Sequence, residues 1–421
     1  MCGAQPCTQI FNPPPQPTLA PTPRVTPTPK VTPPPRVTPT PKPPATIRPT
    51  PVPPSTGKLR PGDAGVRFDT SKFDPDYPQM REWIKAGVRG GIPLIQDQLK
   101  RYTVSLRGGN SASINSAIAS VANNGGGVVY LHNGNYDINQ AVKLRSNVSI
   151  IGESRSGVVA TVARTLKKGG AFELIGIRNA GIYQMHIRGA GSPPRYDWNI
   201  GSSKNLELPD NENISVFIKD SEDCWVTDTD IINSYDFPVR VSAKHITLRG
   251  LNIDGAYNKS GGAHGYFFIL NGYNLVTQSK ITRIRHISLQ GDDVEYNVLY
   301  DNDFKQEVSF HSDDDGNNLI ENNRIHLPLD MPPATVSGAK PDYRCVMGPW
   351  STKHQNSKRP NYLWNNDCLQ DNHGGTRPLS GNNVIYIGPV TAPTKGQAAE
   401  DNWRPSRNIP AHGTLYPVIL N

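Results

Sequence analysis

The chain has 421 residues and a formal net charge of +8, with 44 Lys plus Arg against 36 Asp plus Glu, a balance that suits a polyanionic partner. No window holds twenty apolar residues, so nothing in it reads as a transmembrane helix. No basic helix, zinc-finger spacing or aromatic RNA-binding signature is present, and the reading is of a protein without a nucleic-acid partner.

Twenty of the forty prolines crowd the first sixty positions. Residues 1–57 therefore read as a disordered Pro/Thr-rich tether with recurring TPTPK and TPPPR units, extended and poor in hydrogen bonds. The opening MCGAQPC resembles the start of a mature bacterial lipoprotein whose signal sequence has been replaced by Met, which makes Cys2 the lipid-bearing residue. The expectation is a secreted or outer-surface protein that meets the membrane only through that lipid. It is expected to be a monomer. Cysteines at 2, 7, 224, 345 and 368 are too scattered for a disulfide framework; Cys345 and Cys368 fall at similar points of neighbouring coils and read as buried free thiols, with a single bridge as the alternative.

Folding starts near Lys58 and continues as one domain to residue 421, with an N-terminal cap over about 58–140, coils over about 141–387 and a C-terminal cap over 388–421. Residues 113–121 form a short amphipathic helix. Glycine turns and strands follow at NNGGGVVYLHNGNYDI and LRSNVSIIGE. This helix, turn, strand order, carried by residues 125–131, 134–138 and 144–152, resembles the N-terminal part of the pectin-lyase-like superfamily. The resemblance implies an all-β fold, a single-stranded right-handed parallel β-helix (solenoid) with a short N-terminal capping helix, and a carbohydrate-active enzyme.

Strand-like pieces then recur at FELIGI, ISVFIKD, PVRVSAK, GYFFILNG, HISLQGD and EVSFHSD, mostly twenty to twenty-eight residues apart, each followed by a second strand. Asparagines at the turns can form inward ladders. Insertions at 192–211 and 328–343 interrupt the repeat and are expected to wall a groove.

Period-two alternation superposes the coils. Inward pairs are Val216 and Ile218, Val239 and Val241, Phe267 and Ile269, Ile287 and Leu289, Val308 and Phe310, and Cys345 and Met347. The outward columns are then Ser215, Pro238, Tyr266, His286, Glu307, Arg344; Phe217, Arg240, Phe268, Ser288, Ser309, Val346; and Lys219, Ser242, Leu270, Gln290, His311, Gly348. Tyr266, His286, Gln290, Glu307, His311 and Arg344 would share one exposed sheet about 15 Å long at the usual strand spacing.

β-Elimination of a uronic-acid polymer needs a group to neutralise the carboxylate, a base for the proton beside it and an acid for the leaving oxygen. His311 is the expected base, Tyr266 or His286 the acid, and Arg344, Lys353 or His354 the carboxylate partner. Gln290, Glu307, His264, Arg240, Trp350, Lys353 and His354 are expected substrate contacts, with Trp350 stacking on a sugar ring. The partner is an extracellular anionic polysaccharide.

Hydrolysis is the rival and needs two facing carboxyl groups, about 5 Å or about 6.5–9.5 Å apart. Asp292, Asp293, Asp313–Asp315 and Glu307 are candidates, although aspartates at turns commonly form Asx turns. No cofactor is required. Calcium could bind Asp313, Asp314 and Asp315. The layout is similar to the alginate and chondroitin lyases of β-helix fold, but Gln290-Gly291 and His311-Ser312 occupy the places of that family's Lys and Arg, and the polygalacturonase pattern is not met. A non-catalytic glycan-binding solenoid is the third reading.

Overall fold

The computed structural model describes residues 58–193, 208, 210–260, 262–327, 345–347, 354–370, 384–387, 403–406 and 408–420. The expected tether and Cys2, most of both insertions, and Arg344, Trp350 and Lys353 lie outside the described residues.

The chain forms a right-handed parallel β-helix of about nine turns, as the residue pattern predicts. Each regular turn has three strands rather than two, because every long second segment breaks at a two-residue corner. One turn runs 214–219 on sheet B, 222–227 on sheet A and Asp230–Ser234 on sheet C; the next runs 239–242, 244–249 and Asn252–Ala256. The strands Ile214–Thr227 and Val239–Arg249 bend continuously from B into A.

The corner from A to C follows one rule. Its first residue is left-handed: Asp228, Gly250, Asp301, Asn322 and Asn365 have φ between 50° and 62°, a conformation that Gly, Asn and Asp tolerate best. Its second residue faces inward, as Leu251, Ser279, Asn302, Asn323 and Asn366 do. From Ser279 onward these form a buried ladder. Asn302, Asn323 and Asn366 accept through Oδ1 from the backbone N–H of the residue one coil before at 2.9, 3.0 and 3.0 Å. A second ladder, Asn274, Asn297, Asn318 and Asn361, precedes sheet A, with backbone-to-Oδ1 distances of 2.9–3.0 Å. Buried backbone groups are thereby paired where the strands stop.

Inward residues stack in register. On sheet A the column is Ile150, Ile182, Val226, Leu248, Val276, Leu299, Ile320 and Leu363, and on sheet C Ala160, Ile187, Ile231, Ile253, Ile281, Phe304 and Ile325. All are buried in one cluster. Each Val, Leu, Ile or Phe among them is worth about 1.5–3 kcal/mol removed from water. The helix Ser111–Asn123, capped by the Asn110 side chain on the Ser113 N–H, packs Ile114, Ala117, Ile118 and Val121 onto the first coils.

Sheet A is also apolar on its outer side, and two chain segments cover it. Val88, Ile92, Ile95 and Leu99 pack on Val128, Tyr130, Ile151, Tyr183 and Trp225; Tyr77, Met80 and Trp83 pack on Leu275, Val298, Leu319 and Tyr362. Trp83 Nε1 donates to the Asn317 carbonyl at 2.6 Å. Residues 58–99 are thus a strap that runs back along sheet A. Of the expected C-terminal cap, residues 408–420 lie on the same sheet: Val418–Ile419 pairs antiparallel with Arg67–Phe68, and Thr414 Oγ1 and the Leu415 N–H donate to buried Glu321 at 2.6 and 3.2 Å.

Cys345 is disulfide-bonded, which corrects the expectation of a free thiol there. Cys224 is a buried free thiol whose pKa burial pushes up to about 12.

Candidate functional site

With sheet A covered on its outer side, sheet B is where the expected site residues gather. The strand registers pair Tyr266 with His286, and Ile287 with Val308, so Tyr266, His286 and Glu307 do form one outward column. Two coils differ from the expectation. Val308 pairs with Val346, so Val346 is the inward, core residue and the last coil is shifted by one. Gln290 pairs with Ser312 across an irregularity after Leu289, which leaves His311 on a bulge instead of opposite Gln290.

The larger correction is exposure. Tyr266, His286, Glu307 and His311 are 1%, 0%, 0% and 7% exposed, and do not line an open groove. Ring centroids lie 4.8 Å apart for Tyr266 and His286, 5.2 Å for His286 and His311, and 4.7 Å for His311 and half-exposed His354. His286 Nδ1 is hydrogen-bonded to Glu307 Oε1, and Gln306 Nε2 donates to Glu307 Oε2.

Burial pushes Glu307 up to about 8 and holds His286 well below the usual imidazole range. The pair is therefore neutral, with the Glu307 hydroxyl donating to His286 Nδ1, since a desolvated ion pair here would cost more than it returns. Burial likewise brings His311 down to about 3. These groups form a neutral packed layer, and the roles expected for His311 as base, Tyr266 and His286 as acids and Glu307 as a substrate contact do not fit their burial. Gln290, half-buried, accepts from Ser288 Oγ at 3.3 Å.

The acidic turns are also committed. Asp293 and Asp313 are left-handed turn residues, with φ of 65° and 59°. Asp292 and Asp315 pair with Lys358 at 2.5 and 2.9 Å. Buried Asp314 accepts from Ser357 Oγ, from Asn361 Nδ2 at 2.7 Å and from the Gly316 N–H at 3.1 Å. Asp313, Asp314 and Asp315 thus serve separate partners, and among the described residues no group of three or more His, Cys, Asp or Glu could hold a metal ion. The donor set expected for calcium does not fit, and where the Asp292 and Asp315 carboxyls approach each other the Lys358 ammonium lies between them, paired with both.

The arrangement with accessible chemistry lies on the preceding corner. His264 Nδ1 lies 2.7 Å from Asp236 Oδ2, and Asp236 Oδ1 accepts the Gly265 N–H at 2.9 Å. The Asp236 side chain is 1% exposed and that of His264 25%. Burial raises Asp236, while the hydrogen bond that the His264 Nδ1–H gives to the Asp236 carboxylate raises His264 above 6.5. With an imidazole and a backbone N–H both directed at it, Asp236 is best taken as ionised. Nδ1–H then stays on Asp236 in both states of the ring, and Nε2 is the nitrogen that titrates.

Beside this pair, Arg240 has its guanidinium carbon 5.7, 5.6 and 5.8 Å from the ring centroids of Phe217, Phe237 and Phe268. His264 itself lies 6.3 Å from the Phe237 ring. The register that pairs Val239 with Phe267 sets Asp236 over His264 three residues earlier. Asp236 is the site residue that sequence reasoning missed, and that 28-residue offset was the signal for it.

The fold and this geometry define the class as a right-handed parallel β-helix with an ionisable cluster outside sheet B. No protein-family model matches the chain, and no curated protein matches it in sequence. Among solved structures, ORF18 of Geobacillus virus E2 aligns at 15% identity over 66% of this chain and 45% of its own, with a TM-score of 0.31. The Dettilon tailspike protein aligns at 13% identity over 65% and 45%, TM-score 0.33. Pectin methylesterase from Erwinia chrysanthemi aligns at 12% over 68% and 78%, TM-score 0.31. The chain thus spans less than half the length of the first two of these proteins. At such scores these likenesses carry no functional weight, and the fold class rests on the strand registers.

Proposed function

We propose that the protein is a polysaccharide lyase that cleaves a uronate-containing glycan by β-elimination on the outer side of sheet B, with His264 as the base. The observation that carries this reading is the His264–Asp236 pair: a part-exposed imidazole whose inner nitrogen is held by a buried carboxylate, on a sheet long enough for several sugar units. Neutral His264 Nε2 would take the proton from the carbon next to the uronate carboxylate. The electron pair forms the C=C bond, the glycosidic C–O bond breaks, and the leaving oxygen is protonated. The imidazolium so formed lies on the same face of the sugar and can return that proton, so one residue serves as base and then acid. The Pro/Thr-rich residues 1–57 support an extracellular placement, at the end of a tether.

The test incubates the full chain with a panel of uronate polymers and follows absorbance near 230 nm. Elimination yields an absorbing unsaturated end and His264→Asn abolishes it, whereas new reducing ends without absorbance would mean hydrolysis and reject the proposal. Because the base must be neutral, kcat/KM is expected to rise with pH through a limb above 6.5, and Asp236→Asn to shift that limb to lower pH while lowering its plateau.

A further inference from the structure

Phe217, Arg240 and Phe268 occupy one outward column of three successive coils, paired directly in the strand registers. The phenyl rings of the coils on either side thus flank the guanidinium, and Phe237, which stacks on Phe268 at 5.8 Å and 14°, adds a third wall. Arg240 is half-buried, and its Nε, fully out of solvent, meets no hydrogen-bond partner. Among the described residues it has no ion pair: Asp236, the carboxylate whose charge it feels, spends both oxygens on His264 and the Gly265 N–H.

A guanidinium cannot shed its proton at neutral pH. Withdrawing one from water without a counter-ion is costly, and cation–π contact with three rings recovers part of that cost while leaving every N–H donor unused. Such a charge is matched by a ligand anion, and the planar N–H fork suits a planar carboxylate in two-point contact better than a tetrahedral oxyanion.

We infer that Arg240, framed by Phe217, Phe237 and Phe268, is the receptor for a single sugar carboxylate, and so selects uronate residues over neutral ones at the position next to His264. This rests on the reading of sheet B as the substrate face. Arg240 and His264 both border Phe237, 5.6 and 6.3 Å from its ring centroid, so the carboxylate receptor and the base share one patch of sheet B. The guanidinium then also draws charge from the carboxylate as the proton leaves.

The experiment titrates sodium glucuronate, glucose and sodium sulfate into the full chain and into the Arg240→Lys and Arg240→Met variants, read by calorimetry or NMR, with circular dichroism melts reporting folding. Expected are glucuronate binding by the parent, a loss of tenfold or more in Arg240→Met, a several-fold loss in Arg240→Lys, and no comparable binding of glucose or sulfate. If Arg240→Met does not fold, the Arg240→Lys titration carries the test. Unchanged glucuronate affinity in the folded variants, or sulfate or glucose bound as tightly, overturns the assignment. Arg240-dependent glucuronate binding without elimination of any polymer would retain the subsite and remove the lyase; elimination that survives Arg240→Met would do the reverse.

Discussion

Glu321 ties the C-terminal segment to sheet A, and its protonation makes that tie dependent on pH. Thr414 Oγ1 and the Leu415 N–H both donate to Oε1, while Oε2 is buried with no partner, so Oε2 is where a proton resides. Burial pushes this carboxyl up to about 7 from its ordinary 4.5. A folded pKa above the unfolded one means that the stabilisation is fully present below about 4.5, declines as pH rises, and is lost above about 7. The loss approaches about 3 kcal/mol at pH 8.5 and is still under about 1 kcal/mol at pH 5.

Glu321→Gln keeps the acceptor and replaces the protonated oxygen with an amide that cannot ionise. Relative to the parent, the variant should gain about 2–3 kcal/mol of stability between pH 5 and pH 8.5. At on the order of 2 °C per kcal/mol for a domain of this size, that is a relative Tm gain of about 5 °C. Thermal melts of both proteins at the two pH values check it, with hydrogen exchange at Leu415 as the local readout. A Tm difference that does not change with pH, or a parent favoured at pH 8.5, would refute a neutral carboxyl at this position.

Three further substitutions probe the coil. Asn302→Leu removes the acceptor for the Ser279 N–H and the donor to the Val276 carbonyl and should cost about 2–5 kcal/mol in denaturant melts, whereas Asn322→Gly, at the left-handed, exposed corner position of the next coil, should stay within about 0.5 kcal/mol. Gly127 has φ of 145°, and a Cβ there would meet the Tyr102 carbonyl oxygen at 2.1 Å. Gly127→Ala should therefore cost on the order of 2–4 kcal/mol, seen as a lower Tm, and a melt like the parent's would contradict the close approach.

The repeat and most of its register were legible because strand periodicity has no slack: inward residues at Val216, Val239, Phe267, Ile287 and Val308 leave only one way to superpose those coils. The column Tyr266, His286, Glu307 followed from that alone. Where the strand is short or irregular the rule loses its hold. Cys345 and Val346 are both apolar and buried, so pattern could not choose between them, and the bulge at His311 leaves no trace in hydrophobicity. Asp236 could have been found by carrying the Val239–Phe267 offset back three residues.

Local pattern dictates which side of a strand a residue takes, since alternation is a property of the backbone. It cannot say whether that side meets water. Burial of the outward layer at Tyr266, His286, Glu307 and His311, and of the outer face of sheet A beneath residues 58–99, depends on contacts between parts of the chain far apart in sequence. Those contacts turned His286 and His311 into neutral packing groups, while His264 and Arg240, among the described residues, stay partly exposed.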